Sequence, residues 1–115
     1  MINRLALVVA ITASMLLSAC AAMVQFDPYE GENVPRLGQG GAKTVVDGMD
    51  VWTRGEPPRR YRIAGYLQVL QYPGTQALAV DRARQAGGAA LIQGETVHMA
   101  EGGFRVNFTI IQFVD

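Results

Sequence analysis

Only one cysteine, Cys20, occurs in this 115-residue chain, and it stands where a long apolar run gives way to small residues. An intramolecular disulfide is therefore excluded in any compartment, and a packed core must hold whatever fold forms. What precedes the cysteine restricts the chain further. Met1 and Arg4 supply positive charge, and Leu5–Leu17 is an uncharged apolar run that ends in small residues. A basic n-region, an h-region of roughly 7–15 residues and small residues after it make an export signal. A bilayer-spanning helix needs about 20 apolar residues. Leu5 to Val24 reaches that length only by taking in Thr12, Ser14 and Ser18, so an uncleaved anchor is the lesser alternative to a processed leader.

The four residues Leu17, Ser18, Ala19 and Cys20 resemble the lipobox of bacterial lipoproteins: a leucine, two small residues and a cysteine. The resemblance implies that the thiol of Cys20 carries a diacylglycerol in thioether linkage, that residues 1–19 are removed as a signal peptide, and that the new amino group is acylated. One acyl chain binds a membrane marginally, at about 0.8 kcal/mol per buried methylene, whereas two or more hold it firmly. Ala21 follows the cysteine, and in Gram-negative lipoproteins an aspartate there keeps the protein in the inner membrane. The expected location is thus the outer membrane, facing the periplasm. Ten basic residues balance ten acidic ones, which leaves no electrostatic footprint for nucleic acid.

Residues 20–43 are punctuated by Pro28, Pro35, Gly31, Gly38, Gly40 and Gly41 and show neither strand nor helix periodicity. The expectation is an acylated flexible tether with a reach of roughly 25–30 Å. A small α+β domain is expected over 44–115. Thr44–Thr53 reads as a strand bent near Gly48, and Tyr61–Leu70 as a second, with Tyr61, Ile63, Gly65, Leu67 and Val69 on one face. These two are expected to form a hairpin across the loop containing Pro57 and Pro58. Helical spacing places Ala79, Val80, Ala83, Ala86 and Gly87 on one stripe, with Thr75 as N-cap and Gly87–Gly88 as the stop. Leu78 falls off that stripe and is expected under a loop or a neighbouring subunit. Three further strands, Ala89–Gln93, Glu95–Met99 and Phe104–Val114, complete one helix packed on a largely antiparallel sheet of four to five strands.

The run Pro57–Val69, followed by a helix that leads through Gly88-Ala89 into a buried strand, resembles YbjQ-like domains and the outer-membrane lipoprotein sensor of the Rcs envelope-stress relay. The resemblance covers about residues 50–97 and implies a fold. The Rcs sensor domain carries disulfides that this chain cannot form, so neither a signalling role nor any site residue is carried over.

Chemistry is constrained mainly by what is missing. Beyond the leader the chain contains no serine, and His98 is its single histidine. Ser-His-Asp and Cys-His arrangements are thereby excluded, and no metal or other cofactor is expected. A lone histidine beside Met99 is more often structural than ligating. Asp47, Asp50, Glu56, Glu95 and Glu101 are scattered near turns, and the reading of a carboxylate pair in a minimal hydrolase yields to that of solvated surface charge. The one concentration of charge is Arg54, Arg59, Arg60 and Arg62 around Glu56. Arginines in this density suit anionic headgroups, lipopolysaccharide phosphates or a protein's carboxylates, although Pro and charge together also blunt a sheet edge.

The expected function is a non-enzymatic protein-binding or envelope-assembly module, held in the membrane through acyl chains on Cys20. Its partner would be an envelope protein or a second copy met through the small-residue helix or an open strand. The alternative is a lipid-, lipopolysaccharide- or glycan-binding module that uses the Arg54–Arg62 loop.

Overall fold

The computed structural model describes residues 23–114; the leader and the lipobox residues Leu17, Ser18, Ala19 and Cys20 lie outside the described residues. The chain turns at Asp47 and Gly48, both with positive φ (48° and 80°), as a two-residue turn matched to strand twist requires. Strands leave on either side of it. Val24–Pro28 (β1), Arg36–Leu37 (β2) and Gly40–Val46 (β3) precede the turn, and Met49–Glu56 (β4) and Arg60–Leu70 (β5) follow it. Val46 pairs with Met49, Gly40 with Glu56, Leu37 with Arg60 and Val24 with Val69, all antiparallel. Residues 24–46 and 49–70 are therefore two arms of one long ribbon.

This corrects three expectations. The stretch read as a tether supplies β1, β2 and the first four residues of β3. Its apolar periodicity is invisible because β1 is short and only Val24 and Phe26 turn toward the core. The segments 44–53 and 61–70 do not pair as a hairpin; the first contains its own hairpin turn. The sheet has seven strands rather than four to five.

Helix α1 (Thr75–Gln85), β6 (Ala90–His98) and β7 (Phe104–Phe113) follow, and the strand order is β1-β5-β7-β6-β4-β3, with β2 also on β5. The result is an α+β fold with one helix among the described residues and a mostly antiparallel sheet. The segments 89–93 and 95–99 are one strand, β6, with an irregularity between Gln93 and Thr96. The exception to antiparallel pairing is β4 with β6 over Asp50–Trp52. Since β6 opposes β7 and β7 opposes β5, β4 and β5 run the same way with two strands between them. Only Pro57–Arg59 joins them, so the ribbon must double back after Trp52. It does so at a bulge that passes over Thr53 and at Gly55, whose φ is +71° and where a Cβ would stand 3.0 Å from Gly41 Cα. Bulges bend a strand and sharpen its twist.

Two cores result. On the helix side, Ala79, Val80 and Ala83 lie against Val51, Leu67, Val69, Leu91, Val106, Phe108 and Ile110. Alanines let the helix axis come close, and each large side chain buried there contributes about 1.5–3 kcal/mol. On the other side Tyr61, Ala90 and Ile111 are buried, with Ile63, Ile92 and Phe113 packed on them. The single face expected for 61–69 is thus divided. The register of β5 against β7 shifts between Ile63 and Gly65, so Tyr61 and Ile63 point to one core while Leu67 and Val69 point to the other. One inserted residue flips all that follow.

Gly74, in the left-handed conformation, is the N-cap, and Thr75 is the first residue of the helix. Its Oγ1 accepts the Tyr72 N–H and donates to the Tyr72 carbonyl, closing the preceding turn instead of capping the helix. Gly87 ends the helix at φ +81°, as expected.

Candidate functional site

The sheet and helix share two ends of opposite character. At one end, β1 begins, β5 finishes, α1 starts, and β6 turns into β7. Here Gln71 N–H donates to the Phe104 carbonyl at 2.9 Å, which fixes the two connections side by side. Four of the eight large apolar side chains that stand exposed among the described residues are Met23, Tyr72, Leu78 and Phe104, exposed by 39, 55, 37 and 47%. All four belong to this end, while Leu37 and Val45, exposed by 63 and 60%, stand on strands β2 and β3 at the opposite end. Leu78, expected under a loop or a subunit, is one of the four. Beneath Tyr72 lies a cavity of about 300 Å³, floored by Val69, Val106 and Phe108 and edged by Gln71, Gln76 and Gln93. An apolar floor with a few polar groups at its edge suits a small apolar guest, at the lower limit of size for such sites.

His98 is on the same end. Its ring meets Phe104 edge-on at 5.1 Å between centroids, as a cross-strand pair in register. It serves the β6–β7 hairpin. No group of three or more metal-ligating side chains gathers among the described residues.

The other end carries the polar bonds. Arg84 Nη2 donates to the carbonyl of Asp47, joining the last helical turn to the β3–β4 turn. Gln112 Nε2 donates to the Gly87 carbonyl at 3.0 Å, satisfying an acceptor beyond the helix end. The arginines singled out in the sequence are at the ribbon bend on this side, but they are divided. Tyr61 and Ile63 face the second core, so alternation sends Arg60 and Arg62 to the helix side. Arg62 is in register with Gln112, near the carbonyl end of α1, where positive charge is favoured. Arg59 instead lies over the Phe113 ring, 3.9 Å from its centroid. Arg54 is in β4 opposite Ala42. The loop is four exposed cations on different faces rather than one cradle.

Tyr61 sits in the same bend and is only 3% exposed. Its hydroxyl pKa is raised, first by burial, then by the charge of Glu56 and the hydrogen bond donated to it; Arg36 opposes the rise. Glu56 thereby has a structural partner. The remaining carboxylates are dispersed: Asp50 pairs with Lys43 at 2.9 Å, Asp47 is in the β3–β4 turn, and Glu101 is at the opposite end of β6. The alanine stripe considered as an oligomer contact is spent in the core, with Ala79 and Ala83 fully buried. The open strand remains: β3 terminates the sheet, and its Val45 is 60% exposed.

Against known proteins, the chain matches no family model, no curated protein and no solved structure.

The apolar end was not singled out in the sequence. Tyr72 and Phe104 are far apart in the chain, and only the register of β5 with β7 brings them together. The one local signal was Leu78, an apolar residue on the wrong side of its helix.

Proposed function

We propose that this chain is a lipid-anchored, non-enzymatic module of the bacterial envelope, moored by acyl chains on Cys20 and acting by binding an envelope protein. The expected location is the outer membrane, facing the periplasm. Support for the anchor is the leader of residues 1–16 running into Leu17-Ser18-Ala19-Cys20.

The observation that carries the binding role is the open edge of β3. It is seven residues long with Val45 exposed by 60%, and half of its peptide groups point away from β4, ready to pair with an added strand. A strand edge gives affinity through main-chain bonds and needs no pocket. The arginines, by contrast, are spread over several faces and sit at the end away from the start of β1, which weighs against their reading headgroups of the membrane that holds the anchor.

The test has two parts. Mass analysis of the membrane-extracted product should show triacylated Cys20 with residues 1–19 removed, and Cys20→Ala should abolish both changes. A photo-crosslinking residue at Val45 should then trap one discrete envelope protein in living cells, while the same residue at Gln85 should not. An unmodified thiol with the leader attached sinks the anchor. Equal labelling from both positions sinks the edge as the binding site.

A further inference from the structure

We propose that the end of the domain bearing Tyr72 and Phe104 rests on the bilayer that holds the Cys20 anchor, with Met23, Tyr72 and Phe104 at headgroup level. The inference rests on acylation of Cys20. What it adds is orientation, and the argument is one of length. Val24 is 9% exposed and in register with Val69 as the first residue of β1. Four Cα steps separate it from Cys20, which span at most about 14 Å even fully extended. A sulfur held at the membrane surface therefore keeps Val24 within that distance of it. The reach is too short to let the domain turn over, because the opposite end of β5 is about 30 Å farther along the strand.

The surface presented by this constraint has the chemistry an interface wants. Tyr72 and Phe104 are ring side chains exposed by 55 and 47%, and Met23 by 39%. Rings with a polar tip, tryptophan and tyrosine, favour the boundary between headgroups and acyl chains, and an apolar ring such as phenylalanine can sink just below it. Helix α1 points its start at the same side and has no acidic residue in its first turn, so its partial positive charge faces lipid phosphate uncompensated. Glu101, in the turn between β6 and β7, is an acidic group on this end. The cations Arg60, Arg62 and Arg84 belong to the far end.

The full mature lipoprotein, extracted with its acyl chains, contains no free thiol, so one introduced cysteine can be labelled uniquely. Phe104→Cys, Glu101→Cys and Gln85→Cys, each carrying an environment-sensitive fluorophore, are reconstituted into phosphatidylethanolamine–phosphatidylglycerol vesicles. The Glu101 variant removes no apolar group and guards against damage at Phe104. Labels at 101 and 104 should shift to the blue and lose emission to lipids spin-labelled near the headgroup, while the label at 85 keeps its emission. Equal quenching at all three positions, with Cys20 acylated by mass, overturns the orientation and spares the anchor. Emission at 104 that depends on protein density rather than on spin-labelled lipid assigns the surface to a second copy instead, and also overturns it. An unacylated Cys20 ends both readings.

Discussion

The two ends of this molecule are built from the same strands yet are held together differently. At the far end, side chains make the links: Arg84 to the Asp47 carbonyl, Gln112 to the Gly87 carbonyl, and the Tyr61 hydroxyl to the Glu56 side chain. At the near end the linking bonds are between backbones or within one turn, as with Gln71 to Phe104 and Thr75 to Tyr72, and the large side chains are left outward. Polar side chains that close the far end against itself are consumed in doing so. Apolar side chains at the near end are only partly used by the fold, Phe104 through one edge-on contact with His98, and their outer faces remain available to a surface. The contrast teaches that exposed apolar groups have to be read together with the polar bonds around them: Leu37 and Val45 are exposed at the far end as well, but on marginal strands of an end that polar side chains close.

The sharpest way to break the contrast is to release β1. Val24→Asp places a carboxylate where a 9% exposed valine meets the core and pairs with Val69. An unpaired buried charge of this kind is expected to lower stability by about 2–4 kcal/mol, measured by urea unfolding. In the acylated protein the same change lengthens the leash, so a label at 101 should lose its proximity to lipid. Gly65→Ala is the next test. A Cβ there would lie 2.7 Å from Phe26 Cε2 and 2.8 Å from the Asp27 carbonyl oxygen, which forces β1 away from β5. About 1–3 kcal/mol of destabilisation is expected, with the far end unaltered by amide exchange.

Much of the helix was legible in the sequence, because an alanine stripe ending in Gly87-Gly88 has one physical reading. The strand over Phe104–Val114 was equally plain, since β7 is central in the sheet and one of its faces, with Val106, Phe108 and Ile110, lies under the helix. The first third of the domain was not. Strands β1, β2 and β3 lie at the margins of the sheet, partly in solvent, and so carry little apolar period; their glycines and prolines mimic a linker. One local signal does stand there: Asp47-Gly48 between Thr-Val-Val and Met-Asp-Val-Trp is a strong two-residue hairpin signature. The bend at Thr53 and Gly55 and the face switch before Gly65 leave no periodic trace, because a single added residue changes register without changing composition. The apolar end depends on those registers and was hidden with them.

Tyr61 tests the far end through pH. Its hydroxyl is raised by burial and by Glu56, so the folded state holds the proton more tightly than the unfolded one. Stability from this group is complete below about pH 10, where the unfolded phenol titrates, and is lost as pH rises toward and through the folded value. Tyr61→Phe should cost about 0.5–1.5 kcal/mol at neutral pH through the lost hydrogen bond. It should also flatten the alkaline decline in thermal midpoint above pH 10. If the decline persists unchanged, another group governs the alkaline limb.

The smallest effect is expected where the charges are most conspicuous. Lys43 Nζ and Asp50 Oδ2 are 2.9 Å apart, but their side chains are 48 and 36% exposed. Exposed pairs of this kind contribute about 0–1 kcal/mol, because water already solvates both groups and ordering two flexible chains offsets the attraction. The residues lie diagonally across β3 and β4, Lys43 being in register with Trp52 and Asp50 with Val45, so neither is locked by a directly opposed partner. Lys43→Met should therefore change stability by less than about 1 kcal/mol in low salt, and the difference should shrink further at molar ionic strength, where screening acts over about 3 Å. A larger, salt-insensitive loss would mean that the charged end is held by its ion pair, and that its difference from the apolar end lies in strength as well as in kind. A small, salt-sensitive one leaves the far-end charges as solvating groups, with the closure of that end resting on the bonds from Arg84, Gln112 and Tyr61.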